Sequence, residues 1–158
     1  MGRKPLHLLS LALLLLLSGC STREDFVVLN RSGEVVELRY KIKRCTGDMS
    51  GDNSETHQPH KLTVKEFQKS DRAWNRVSKA DYKYDARDCS YTVKVAPDEA
   101  TLVDYAYNYR GPDSEGSELH FEVEALSIKG AKGEILLEGR QAQTQFKLES
   151  GAYVITYE

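Results

Sequence analysis

The chain reads as an all-β protein, an antiparallel β-sandwich, on three observations. Glu34 to Lys43 alternates without a break, with Val36, Leu38, Tyr40 and Ile42 on one side and Glu37, Arg39, Lys41 and Lys43 on the other. Period two marks a strand with one buried and one wet face. Short runs of the same kind recur down the chain between turn signals rich in Gly, Asn and Ser. The long crossover helices that join parallel strands are missing, which leaves two packed antiparallel sheets.

The first segment stands apart from that fold. Met1 to His7 carries Arg3 and Lys4 and no acid, and Leu8 to Leu17 is an apolar run. This is the charge-then-apolar order of a signal peptide. The run is about half of the roughly 20 residues that a spanning helix needs. It ends in Leu17-Ser18-Gly19-Cys20, which resembles the lipobox of bacterial lipoproteins. The resemblance covers the first 20 residues. It implies that 1–19 is removed, that Cys20 carries a diacylglyceryl thioether, and that its new amino group is acylated. Ser21 and Thr22 follow where an Asp favours the inner membrane, so the resemblance points to an outer-membrane, lipid-anchored protein facing the periplasm. One acyl chain holds a protein only marginally, whereas two or three hold it durably.

Removal of 1–19 lowers Lys plus Arg from 22 to 20 against 24 acidic residues, a net charge of about −4. That balance gives no basic surface for nucleic acid. Residues 26–158 are enough for a single domain with one core. Of three cysteines, Cys20 is taken by lipid, which leaves Cys45 and Cys89 as an even pair in an oxidising compartment. A disulfide between them is expected, and closing that loop stabilises by about 4 kcal/mol in the chain-entropy model. Two free buried thiols or a redox pair are the other readings, although redox pairs favour C-x-x-C spacing.

Residues 20–25 read as the lipidated cysteine and a polar tether. Phe26 to Asn30 is a strand, Asn30-Arg31-Ser32-Gly33 a turn, and Glu34 to Lys43 the alternating strand. Arg44 to His60 has no periodicity and is a loop. Thr63-Val64-Lys65-Glu66 fits a capping box, which places a short helix within 64–79, with Trp74 as a core anchor. Tyr91, Val93 and Val95 form a strand that Pro97 ends. Leu102 to Arg110 alternates again. Phe121 and Val123 share a parity that Leu126 and Ile128 break, so a bulge near Glu124-Ala125 is required. Gly130 to Gly133 is a hairpin turn. Ile135 to Leu137, Gln145 to Leu148, and Tyr153, Ile155 and Tyr157 are the closing strands, with a turn at Ser150-Gly151. An immunoglobulin-like or related sandwich accounts for this spacing, and a small closed barrel is the competitor.

Few residues carry candidate chemistry. His57 and His60 lie close together, and Asp48, Asp52 and Glu55 could add oxygen ligands, but no second cluster completes a zinc or calcium pattern. A solvated loop is the plainer reading. His120 between Glu118 and Glu122 fits a wet strand face. Tyr105, Tyr107 and Tyr109 share one side of a strand, the pattern of a glycan platform or partner face and equally of half-buried packing. Leu148 to Tyr153 resembles the Ser-Gly loop of periplasmic lysozyme inhibitors, though that family's Tyr-Trp partner motif is missing; a hairpin turn serves the segment as well. No nucleophile elbow, phosphate loop or His-Glu-x-x-His occurs. The expectation is therefore a non-enzymatic envelope lipoprotein without a cofactor. It would meet a membrane through its lipid and an envelope protein or glycan through its sandwich. The alternatives are a small-ligand or metal-binding lipoprotein, or an inhibitor of a cell-wall hydrolase.

Overall fold

The computed structural model describes residues 21–43, 57–109 and 121–158. Eleven strands lie among them, in two packed sheets. The six-stranded sheet holds β1 (Ser21–Asn30), β3 (His60–Thr63), β4 (Asn75–Arg76), β7 (Glu99–Tyr109), β10 (Lys147–Glu149) and β11 (Ala152–Tyr157), in the order β10-β11-β1-β7-β3-β4. The five-stranded sheet holds β2 (Val36–Ile42), β5 (Tyr82–Asp85), β6 (Ser90–Val95), β8 (Val123–Gly130) and β9 (Gly133–Glu138), in the order β5-β6-β2-β8-β9. Two short helices are added, α1 (Val64–Phe67) and α2 (Arg140–Thr144). The sandwich expected from the alternation is the fold.

One pairing departs from an all-antiparallel arrangement. β1 and β11 run parallel, with Phe26 opposite Tyr153 and Asn30 opposite Tyr157. Parallel strands are covered on both faces, and such strands read as continuous apolar runs. Phe26-Val27-Val28-Leu29 is such a run, and all four residues are buried. Phe26 and Val28 enter the core between the sheets with Leu38, Tyr40, Val93, Leu126 and Ile128. Val27 and Leu29 point the other way, into a second cluster with Leu62, Phe67, Leu102 and Val154. Val64 and Trp74 pack on that cluster. Trp74, expected as a core anchor, is thus a half-buried lid on the outer face of the six-stranded sheet.

The capping box holds. Thr63 Oγ1 accepts from Glu66 N at 3.2 Å, and Thr63 N donates to Glu66 Oε2 at 2.9 Å. The bulge in β8 is also present, because Lys41 faces Ala125 while Ile42 faces Val123, skipping Glu124. It brings Phe121, Val123, Leu126 and Ile128 into the same core. Further elements were not legible. His60 opens β3 instead of ending a loop, Tyr82–Asp85 is an edge strand, and α2 occupies 140–144 just before the shortened β10.

The largest correction concerns 21–25. Ser21 pairs with Tyr109 and Asp25 with Tyr105, so the expected tether is the leading half of β1. Arg23 and Asp25 share the parity of Val27 and Leu29 in the run that follows, and β7 pairs with this half of the strand, while β11 joins from Phe26 onward.

Candidate functional site

A second bulge shapes the face around the tyrosines. Phe26 faces Asp104 and Val27 faces Leu102, which leaves Val103 as an extra residue in β7. Ala100 and Leu102 pack on the outer cluster, Val103 and Ala106 in the inner core. The shift of parity turns Tyr105 onto the outer face. There Tyr105 and Tyr107 meet edge to face at 5.8 Å. Tyr105 is half-buried, and Tyr107 is 51% exposed. The side chain of Tyr109 lies outside the described residues.

Arg23 and Asp25 share that face. The Arg23 guanidinium carbon sits 4.4 Å from the Tyr105 ring centroid, and its Nε donates to Asp25 Oδ1 at 2.7 Å. The second Asp25 oxygen accepts from Trp74 Nε1 at 2.9 Å. Asp25 is buried yet has an ion pair and an indole donor, so its burial is compensated. Together these residues form an aromatic and cationic platform with one exposed tip. Sequence reasoning missed Arg23 and Asp25 by starting the strand at Phe26. The signal was the polar alternation 23, 25 that continues into 27, 29.

The two histidines have different surroundings. His57 Nδ1 lies 3.5 Å from Asp104 Oδ1, toward the sandwich interior. His60 Nδ1 lies 2.8 Å from Gln58 O, near Arg76, Arg23 and Asp25. Desolvation, opposed by the Gln58 carbonyl and reinforced by Arg76, pushes the His60 imidazole below its usual pKa. Among the described residues, no group of three His, Cys, Asp or Glu could hold a metal ion. Asp48, Asp52, Glu55, Glu118 and His120 lie outside them.

Asp104 has structural partners. It accepts from Tyr105 N at 2.8 Å and Glu122 N at 2.7 Å, tying β7 to the entry of β8. Tyr40 Oη donates to His57 O at 2.7 Å, and burial raises the phenol well above its ordinary pKa. The outer face of the five-stranded sheet is wet, as its alternation predicts. Lys41 pairs with Glu124 at 2.8 Å and Arg39 with Asp88 at 2.5 Å. Hydrogen bonding from Ser90, with help from Arg39, holds the Asp88 carboxyl below its usual range.

No family model matches the chain, and no curated protein or solved structure shows significant similarity to it. A groove of about 900 Å³ lies between the β3–β4 edge of one sheet and the β5–β6 edge of the other. Val35, Val77, Tyr82 and Val93 supply its apolar surface, and Lys61, Arg76, Lys83, Lys94, Glu37 and Glu99 its charges. Lys61 Nζ is held by Lys94 O at 2.5 Å and Glu99 Oε2 at 2.7 Å. Sequence did not reveal this groove, because it joins the turn before β2 to segments with no shared periodicity.

Two expected features end here. Ser150-Gly151 is the β10–β11 hairpin turn, with positive φ at both residues, and Arg72 donates to the Ser150 carbonyl. Cys89 is buried and disulfide-bonded. Its partner cysteine lies outside the described residues.

Proposed function

We propose that this chain is an exported, non-enzymatic lipoprotein of the outer membrane. Its sandwich stands on acylated Cys20, and a protein partner in the envelope is engaged through the groove between the sheet edges. The observation that carries the reading is the lipobox ending at Cys20, one residue before the first paired residue of β1. The domain is thus joined to its anchor without slack. A disulfide between Cys45 and Cys89 would stabilise such a domain in an oxidising compartment.

The groove favours a protein segment over a glycan. Its surface mixes valines with both signs of charge, and only Tyr82 offers an aromatic ring there. Sugar platforms rely on exposed rings, and the tyrosine pair of β7 lies outside this groove.

Two experiments test the reading. Feeding an alkyne fatty acid to a Gram-negative host should label the chain in the outer-membrane fraction, and Cys20→Ser should abolish the label. An unlabelled wild-type chain would contradict lipidation. A photo-crosslinking residue at Val35 should give a discrete adduct in cells that the same residue at Leu136, on the far edge, does not. Identical adducts from both positions would contradict the groove.

A further inference from the structure

We infer that the outer face of the six-stranded sheet, at its β1 entry, is a membrane-contact surface, with Tyr107 and Arg23 seated in the lipid headgroup layer. This deepens the proposed function and rests on acylation of Cys20.

Reach is the first reason. Strands rise about 3.3 Å per residue, so Arg23 lies within about 10 Å of Cys20 along the chain. Arg23 stands directly opposite Tyr107 in the β1–β7 register. A bilayer's polar layers together add about 10–15 Å to its hydrocarbon core, or some 5–8 Å per leaflet. Acyl chains on Cys20 would hold that residue at the inner border of this layer, and β1 running oblique to the surface keeps Arg23 and Tyr107 within it. Because Ser21 is already paired with Tyr109, no tether lets the sheet drift away.

Chemistry is the second reason. Tyrosine rings favour the membrane interface, where the apolar body and polar hydroxyl are both served. Arginine side chains reach to that level and meet phosphates through several donors. Tyr107 is one of four large hydrophobic side chains left exposed among the described residues. Arg23 is oriented by Tyr105 and Asp25 rather than splayed at random, and its side chain stays 39% exposed. Only its Nε is committed to a partner among the described residues, which leaves the outer nitrogens for a lipid phosphate. Val35, also exposed, lies beyond the opposite end of β1, about 30 Å from Cys20 at the same rise per residue.

The test uses the full chain, made in a lipid-modifying host and reconstituted into phosphatidylethanolamine–phosphatidylglycerol vesicles. Intact mass first establishes the acyl groups. A headgroup-nitroxide lipid then quenches tryptophan fluorescence in wild type, Tyr107→Trp and Val35→Trp. Quenching of Tyr107→Trp should exceed that of Val35→Trp at least twofold, and Arg23→Gln in the same background should reduce it. In wild type, acetylation of Tyr107 by water-soluble N-acetylimidazole should slow at least twofold in vesicles, relative to the unlipidated Cys20→Ser chain in solution. Acyl groups present with equal quenching and equal acetylation would overturn the membrane-contact surface alone. A mass without acyl groups would overturn the anchoring reading and this inference with it.

Discussion

Asn30 is a polar side chain with no exposed surface, at the point where β1 leaves its sheet. Its Nδ2 donates to Glu34 O at 2.7 Å and to Val95 O and Ala96 O at 3.0 Å. Its Oδ1 accepts from Ser32 N at 3.0 Å and Ser32 Oγ at 2.6 Å. One amide thus joins the end of β1 to the entry of β2 and the exit of β6. Asn30→Asp keeps the shape but replaces the amide donor with an oxygen facing three carbonyls. At neutral pH the new carboxyl must take up a proton or stay charged in that position. Uptake at pH 7, against an unfolded pKa near 3.9, costs about 4 kcal/mol. The folded pKa is then raised. Below about pH 4 the penalty is absent, and it grows as pH rises toward the folded pKa. The variant should therefore be less stable than wild type by about 4 kcal/mol at pH 7, and by about 1 kcal/mol from this source at pH 4.5. Urea titrations of the disulfide-intact chain at the two pH values read the difference. Equal destabilisation at both, or less than about 1 kcal/mol at pH 7, would refute the reasoning.

Three other outcomes follow from the structure. Phe26 sits among Phe121, Phe146 and Tyr153 at centroid distances of 4.6, 5.5 and 5.2 Å, so Phe26→Ala should cost about 3–5 kcal/mol in equilibrium unfolding, with little change in the denaturant slope. The lowered pKa of half-buried His60 means that the unfolded chain binds the proton first, so stability should fall as pH drops below about 6.5, and His60→Gln should flatten that slope in thermal melts at pH 5 to 7. Reducing the disulfide at Cys89 should lower stability by about 4 kcal/mol if Cys45 closes the loop, and Cys45→Ser should remove the effect of reductant; an unchanged response would exclude that pairing.

Much of the sandwich was legible because alternation survives wherever one face is wet. β2, β6, β7 and β11 were readable at this level, as were the Thr63 capping box and the β8 bulge. Segments without that contrast were not. From Phe26 to Leu29, β1 is buried on both faces, so its side chains carry no in–out signal from which to infer its parallel pairing with β11. Tyr82–Asp85 and Lys147–Glu149 are short edge strands with little burial to pattern them. The tyrosine row was visible as a row, but its facing was set by Val103, an extra residue that register alone reveals. The turn residues Asn30 to Gly33 were recognised by type, while the buried role of Asn30 depends on β6, 65 residues away.

Acylation of Cys20 underlies both the anchor and the membrane-contact surface, and a tryptic digest of chain extracted from its native membrane decides it. Cleavage after Arg23 should release a peptide that begins at Cys20 and carries fatty-acyl mass on Cys20-Ser21-Thr22-Arg23. A peptide reading from Gly19 into an unmodified Cys20 would contradict the anchor, and with it the seating of this sandwich on a bilayer.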